Sequence, residues 1–232
     1  MGTHILMRVQ GQPDKLRLIL AGGGNEKDSQ LLDAYFAHWI GDSGKMLYLP
    51  IALREADVSY NTCYTWIRSV FAPFDTGHIS MWSDLNQHNI SELGAFDATY
   101  IGGGNTFSLF SELLESGFAE ALREYATQGG AIYGGSAGAV ILGRDLLTVE
   151  HMDANDVGLS QRTGLDLAGG HAVWVHYTPQ DDCLIDQYIH QSHFPILAIP
   201  EQAGVLLEGN ELMSIGRAPV YRFAGNTKEQ IL

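Results

Sequence analysis

Short apolar runs alternate with longer mixed segments through the first 143 residues of the chain. The runs predict buried strands at 16–21, 46–51, 78–82, 98–101 and 131–133. Apolar residues at three- to four-residue spacing predict helices at 29–40, 60–71, 107–125 (interrupted at Gly117) and 137–142. Strands alternating with helices are typical of βαβ crossovers. We therefore predict an α/β fold with a mostly parallel central sheet and helices on both faces.

The pattern changes after Arg144. Residues 146–167 are polar and irregular, which predicts a long loop or a weak hairpin. A strand at 172–177 and a helix at 182–190 follow, and then short strands at 196–199, 205–207, 212–215 and 220–223. Turn signals between these last strands predict antiparallel hairpins that finish the sheet. No linker, low-complexity tract or repeat interrupts the sequence, so we predict a single domain over residues 1–232.

Charge and cysteine content exclude several classes of function. The 232 residues carry a net charge of −14, and the 13 Lys and Arg residues form no cluster, which argues against nucleic acid and anionic membranes as partners. No run of 18 apolar residues predicts a membrane span, and residues 1–6 lack the features of a signal peptide. Cys63 and Cys183 form no C-x-x-C pair, so a thiolate zinc site is excluded. We expect a cytoplasmic protein.

Gly134-Gly135-Ser136-Ala137-Gly138 fits the pattern G-x-S-x-G. It lies between a predicted strand and a predicted helix, which is where a nucleophilic serine sits on a sharp, strained turn. Small neighbours let the backbone fold around the serine, and the Ala137 N–H at the helix start can face a developing oxyanion. The alternative is a turn that needs small residues only for packing.

Two further glycine turns precede a predicted helix. Residues 102–106, Gly-Gly-Gly-Asn-Thr, have exposed N–H groups that could bind an anion, but no Lys-Ser/Thr follows as in a nucleotide-binding P-loop. Gly103 or Gly104 could supply a second oxyanion donor to Ser136. The turn at 22–25, Gly-Gly-Gly-Asn, has no nucleophile nearby in sequence, and we interpret it as structural.

A catalytic serine needs a base, and the base needs a group that orients it. His176, at the end of a predicted strand, is the main candidate, with His171 and His151 as rivals. The candidate carboxylates are those of Asp153, Asp156 and Glu201. His190 and His193 add potential metal ligands, but no H-E-x-x-H spacing is present, and we expect no metal and no organic cofactor.

Three segments together resemble the peptidase E (aspartyl dipeptidase) family of serine peptidases, whose fold is related to class I glutamine amidotransferases. They are 101–107 (Ile-Gly-Gly-Gly-Asn-Thr-Phe), 134–139 (Gly-Gly-Ser-Ala-Gly-Ala) and 175–177 (Val-His-Tyr). The resemblance implies Ser136 as nucleophile and His176 as base, with Gly104 and Ala137 forming the oxyanion hole. For the third triad member it favours Asp153, with Glu201 of the Pro200-Glu201 turn as the rival.

The chain also departs from that family. Gly135 and Val140 replace a Trp and an Asn, and a basic segment after the histidine is here Thr-Pro-Gln-Asp-Asp, residues 178–182. No cationic partner for an aspartyl side chain is evident. We expect hydrolysis of a short peptide, with Asp-X as one candidate substrate. The alternative hypothesis is a non-catalytic small-molecule or regulatory binding module on the same fold. Whether the chain forms a homodimer is left open.

Overall fold

A computed structural model describes residues 7–9, 11, 13, 15–74 and 76–232. Residues 1–6, predicted not to be a signal peptide, lie outside the described residues. The strands are β1 (Met7–Arg8), β2 (Arg17–Ala21), β3 (Met46–Leu49), β4 (Ile79–Met81), β5 (Ala98–Ile101), β6 (Ala131–Gly135), β7 (Ala172–Trp174), β8 (Ile196–Ala198), β9 (Ala203–Glu208), β10 (Glu211–Gly216), β11 (Val220–Ala224) and β12 (Thr227–Ile231). The helices are α1 (Glu26–Ile40), α2 (Tyr60–Phe71), α3 (Thr106–Glu115), α4 (Phe118–Thr127), α5 (Ala137–Leu142) and α6 (Asp182–Ser192).

The main sheet has the strand order β1-β10-β9-β2-β6-β5-β3-β4. Five adjacent strands, in the order β2-β6-β5-β3-β4, pair in parallel. On the other side of β2, the strands β9, β10 and β1 extend the sheet with antiparallel pairing. This arrangement confirms the predicted α/β fold with a mostly parallel sheet. Since the carboxyl ends of parallel strands lie at one edge, the turns after β2, β5 and β6 meet there.

The C-terminal strands divide between two sheets, and they do not all finish the main sheet as predicted. β9 and β10 form the hairpin of the main sheet, while β8, β11 and β12 join β7 in a second sheet of order β12-β11-β8-β7. β7 and β8 pair in parallel, and β11 pairs antiparallel with both β8 and β12. β12 has four exposed residues of five, so its sequence lacks the apolar pattern that would have revealed it.

The core lies on both faces of the main sheet, which confirms the prediction of helices on both sides. On β2, Leu18 and Leu20 belong to a buried cluster with α3, α4 and α5, while Ile19 and Ala21 belong to a cluster with α1 and α2. Successive side chains of a strand point to opposite faces, so this one strand anchors both helix layers.

Two irregular segments follow from local sequence. Gly117, with φ 78°, is left-handed and separates α3 from α4, as the sequence pattern indicates. The predicted loop at 146–167 contains a 3₁₀ turn, Leu146–Val149, and its Thr163 forms an antiparallel β-bridge with Asp145, which precedes the loop. None of the helices in the described part of the chain is long and apolar enough to cross a membrane.

Candidate active site

Ser136 occupies a strained turn between β6 and α5. Its φ of 46° and ψ of −107° are a conformation that residues other than glycine rarely adopt. A Cβ at Gly134 would come within 2.5 Å of the Gly138 backbone, and one at Gly138 within 2.5 Å of the Ile101 oxygen. The spacing of glycines around Ser136 therefore has a steric cause. The Ser136 N–H donates to Ala21 O at the end of β2 (3.1 Å), which fixes the turn to the neighbouring strand.

His176 and Glu201 come to Ser136 from the second sheet. His176 lies two residues after β7 and Glu201 three residues after β8, and the carboxyl ends of these parallel strands meet at one edge. His176 Nε2 is 2.8 Å from Ser136 Oγ, and His176 Nδ1 is 3.0 Å from Glu201 Oε1. The His176 N–H also donates to Gly22 O (2.9 Å). The structure thus forms a continuous chain from serine through imidazole to carboxylate.

Asp153, the preferred candidate for the carboxylate beside the histidine, makes its hydrogen bond elsewhere in the structure. Asp153 Oδ2 accepts a hydrogen bond from the Thr106 N–H (2.8 Å), one of the amides at the start of α3 that have no partner within the helix. The side-chain Nδ2 of Asn105 donates to Ala154 O (2.8 Å), so two hydrogen bonds connect residues 153–154 to the start of that helix. Asp153 supports the glycine turn at 102–106, and Glu201 occupies the place on the imidazole.

The rival histidines make other contacts. His171 is buried; Arg222 Nε donates to its Nε2 (3.0 Å), and its Nδ1 lies 3.0 Å from Ala168 O. Burial lowers the pKa of His171, which keeps this imidazole neutral. His151 stacks on Trp174, with ring centroids 4.7 Å apart. Asp156, the third candidate carboxylate, is exposed in the loop.

Gly103 and Gly104 line the same cavity as Ser136, and Ala137 follows Ser136 at the start of α5. A Cβ on Gly103 would stand 3.3 Å from Ser136 Cβ, so this glycine faces the serine directly. Gly104, with φ 142°, packs against Ala52 O, and Ala137 begins α5. Within the described residues, the N–H groups of Gly103, Gly104 and Ala137 make no hydrogen bond.

The glycine turn at 22–25 contacts the histidine–glutamate pair, which the sequence did not indicate. A Cβ on Gly23 would overlap the His176 imidazole, and a Cβ on Gly24 would stand 2.9 Å from Glu201 O. Gly22 in the same way approaches Pro200 O. The interpretation of this turn as structural is therefore incomplete, because its close packing sets where the imidazole and the carboxylate lie. The sequence signal that could have indicated this role is the repetition of the G-G-G-N motif, at 22–25 and at 102–105.

Ser136 and His176 open into a cavity of about 360 Å³. Its walls come from both faces of the main sheet: Ala21, Gly23, Gly24, Asn25, Ser29, Trp66, Tyr100, Gly103, Gly104, Thr106, Tyr133, Gly135, Val149, Met152, Asp153 and Val175. Such a volume accommodates a small molecule or a short peptide segment. The sequence did not indicate Ser29, Trp66, Tyr100 or Tyr133, because long-range packing brings them here.

Metal ligands do not converge in the part of the chain that is described: no group of three or more His, Cys, Asp or Glu side chains there could hold a metal ion. Cys63 is buried and Cys183 is exposed, and both are free thiols.

Comparisons with known proteins identify the family. The model of peptidase family S51 matches residues 18–215. The chain belongs to this family. The match includes the serine turn, His176 and Glu201, and it confirms the resemblance to peptidase E that the three sequence segments indicated.

Individual relatives agree with the family assignment. Peptidase E of Shewanella putrefaciens (strain CN-32 / ATCC BAA-453) is 28% identical over 202 residues, which cover 81% of this chain and 81% of that protein. Peptidase E of Shewanella sp. (strain W3-18-1) is 28% identical over 148 residues, 59% of this chain and 61% of that protein.

A solved structure supports the fold. A crystal structure assigned to peptidase E of Listeria monocytogenes EGD-e aligns with a TM-score of 0.69 and 19% sequence identity. The alignment covers 88% of this chain and 99% of that chain. The α/β architecture of this S51 family member is therefore shared along nearly the full length of that neighbour.

Proposed function

We propose that this S51 family member is a serine hydrolase that cleaves short peptides, with Ser136 as nucleophile, His176 as general base and Glu201 as the group that orients the imidazole. The observation that carries this proposal is the pair of hydrogen bonds at His176, 2.8 Å to Ser136 Oγ and 3.0 Å to Glu201 Oε1. A nucleophile, a base and an orienting acid within hydrogen-bond distance of one another are the requirements of a catalytic triad.

The first half of the reaction forms an acyl-enzyme. With Nδ1 protonated and donating a hydrogen bond to Glu201, Nε2 is free to accept the Ser136 Oγ proton as Oγ attacks the peptide carbonyl carbon. The tetrahedral intermediate collapses when the C–N bond breaks and Nε2 returns the proton to the leaving amine. An ester between Ser136 and the acyl part of the substrate remains.

Water completes the second half. His176 Nε2 takes a proton from the attacking water, the ester C–Oγ bond breaks, and Oγ recovers the proton as the acid product leaves. His176 and Glu201 are both partly exposed, with 32% and 56% of their side-chain surfaces accessible, so water can reach the base.

The oxyanion formed in each half would be bound by the N–H groups of Ala137 and Gly104, with Gly103 beside them. All three amides lack hydrogen bonds to described residues, and Ala137 stands at the positive end of α5. Donors fixed before the reaction stabilise developing charge without reorganising, which is the largest rate contribution in many such sites.

The alternative, a non-catalytic binding module, needs no base beside the serine. A His176 ring turned into the core would support that hypothesis. The contacts of His176 with Ser136 and Glu201 instead favour the hydrolase. The strained conformation of Ser136 is typical of a functional site.

A fluorophosphonate probe tests the proposed nucleophile. We expect one adduct, located on Ser136 by peptide mass spectrometry. Ser136→Ala should abolish the adduct, and His176→Gln should slow its formation. Ser111→Ala serves as the matched control, because Ser111 lies on the exposed side of α3, hydrogen-bonded to Glu115, and should not change labelling. A folded wild-type protein that gains no adduct, or gains it elsewhere, would contradict the proposal.

A further inference from the structure

The backbone that carries the Glu201 carboxylate contacts two other segments of the chain. One is the glycine turn at 22–25, where a Cβ on Gly24 would stand 2.9 Å from Glu201 O. The other is the residue after β10, since the Arg217 N–H donates to Gln202 O (2.8 Å). The place of the orienting carboxylate therefore depends on how these two segments are held relative to each other.

The side chain of Arg217 connects the two segments directly. Its Nη2 donates a hydrogen bond to Lys27 O and lies 3.8 Å from Asp28 Oδ1, and both of these residues belong to the first turn of α1. Asp28 Oδ2 in turn accepts from the N–H of Asn25, the last residue of the glycine turn (3.1 Å). One guanidinium thus attaches the segment after β10 to the start of α1.

These contacts close a ring that includes Glu201. The Gly24 Cβ position is 2.9 Å from Asp28 Cβ as well as from Glu201 O, so this glycine packs against both residues. The ring then runs from Asp28 to the guanidinium of Arg217, and from the Arg217 N–H back to Gln202 O. Within such a ring, no segment can move without breaking a contact with the next one.

Glu201 has little else to hold its carboxylate in place. Its side chain is 56% exposed, and in the part of the chain that is described its carboxylate hydrogen-bonds only to His176 Nδ1 (3.0 Å). A glutamate side chain has several rotatable bonds and loses considerable conformational entropy when it is fixed. The position of its backbone therefore decides how readily the carboxylate reaches the imidazole.

Charge attraction alone would give Arg217 a minor role. The Arg217 side chain is 59% exposed and its separation from the Asp28 carboxylate is long, so water screens the ion pair. The hydrogen bond to Lys27 O differs, because a charged donor on a backbone carbonyl has a defined direction. Arg217 is therefore better suited to fixing the position of a segment than to stabilising the fold.

We propose that Arg217 is a positioning residue of the triad: its guanidinium joins the start of α1 to the turn that carries Glu201 and so keeps the Glu201 carboxylate on His176 Nδ1. This inference rests on the proposed function, because it assigns a support to the same triad. Arg217 is not among the residues that line the cavity, so it acts through Glu201 and does not touch the substrate.

Fluorophosphonate labelling of the full chain tests the proposal, with intact mass as the readout. Arg217→Gln should slow labelling of Ser136 roughly tenfold, since a small displacement of a catalytic group is costly. Both side-chain contacts of Arg217 use one nitrogen, Nη2, which a lysine Nζ can replace, so Arg217→Lys should recover most of the lost rate. Wild-type labelling in Arg217→Gln, or Arg217→Lys as slow as Arg217→Gln, would overturn the proposal.

A double-mutant cycle shows whether Arg217 acts through Glu201. In the Glu201→Gln background, adding Arg217→Gln should change the labelling rate less than about twofold, because the carboxylate that Arg217 positions is already gone. A merely structural role would make the two losses multiply. An equal fold-loss from Arg217→Gln in both backgrounds would therefore overturn the proposal.

Arg8→Gln is the matched control. Arg8 is also an exposed arginine paired with a carboxylate, that of Glu211 (3.1 Å), but this pair lies at the opposite end of β10 from Arg217. Arg8→Gln should label at the wild-type rate. A loss as large as that of Arg217→Gln would assign the effect to the removal of surface charge and would overturn the proposal.

Failure of the inference and failure of the proposed function give different results. An adduct on Ser136 of the wild type, formed at the same rate in Arg217→Gln, would overturn the inference alone. Absence of an adduct on Ser136 in the folded wild type would overturn the proposed function and the inference with it.

Discussion

At the scale of single residues, the site depends on positions that only one residue type can occupy. Ser136 has a positive φ that is costly for a residue with a side chain, and Gly134 and Gly138 have no room for a Cβ. The G-x-S-x-G pattern could therefore be recognised from sequence. The choice between Asp153 and Glu201 could not, because each is an acid in an irregular segment and only the pairing of β7 with β8 brings one of them to His176.

The two carboxylates give a residue-scale prediction. Glu201→Gln should slow fluorophosphonate labelling of Ser136 on the order of 100-fold, because an imidazole without its carboxylate is poorly oriented and its charged form is less stable. Asp153→Asn should label at close to the wild-type rate, since the remaining oxygen still accepts from the Thr106 N–H. Time courses of intact mass measure both rates. Slow labelling of Asp153→Asn with normal labelling of Glu201→Gln would contradict the assignment.

Gly23 gives a second prediction at this scale. Gly23→Ala places a methyl group in the His176 imidazole and should lower kcat/KM on the order of 100-fold by displacing the base. Gly117→Ala is the matched control: Gly117 also has a positive φ (78°), but nothing stands within 4 Å of its Cβ position. That variant should lose about 1 kcal/mol of stability and keep its activity. Equal activity losses in both variants would point to backbone strain and not to the imidazole contact.

At the scale of helices and strands, periodicity predicted much of the fold. The bounds of α2, β5 and α5 agree with the sequence pattern residue for residue. The second sheet was missed because sequence pattern does not encode which strands pair, and β12 is a polar edge strand. The contact between the turn at 22–25 and His176 was also missed, since these residues are about 150 positions apart.

At the scale of helices, the N-cap of α3, Asn105, gives a prediction about stability. Asn105 Oδ1 accepts from the Ser108 N–H, and its Nδ2 donates to Ala154 O. Asn105→Ala should lower the free energy of unfolding by about 1–2 kcal/mol through loss of the cap. Asn105→Asp keeps the acceptor and loses only the donor, so its loss should be smaller. Urea unfolding measures both values, and equal losses would show that the Ala154 contact, not the cap, carries the stability.

At the scale of the whole molecule, Asp33 makes stability depend on pH. Its pKa is raised by burial from 3.8 to about 7, so the folded state binds the proton more tightly than the unfolded state. The contribution of Asp33 to stability is therefore greatest below pH 3.8 and declines as pH rises toward 7. Asp33→Asn has no titrating group and should remove this decline. Urea unfolding of both proteins at pH 5 and pH 8 should show the variant gaining stability relative to wild type at pH 8.

The two sheets together build the proposed active site, since the main sheet supplies Ser136 and the second sheet supplies His176 and Glu201. The most direct test of this account is to compare dipeptide hydrolysis by wild type and by Ser136→Ala, with release of free amino acid as the readout. The account predicts release by wild type and a loss of several powers of ten in Ser136→Ala. Equal hydrolysis by the two proteins would contradict it.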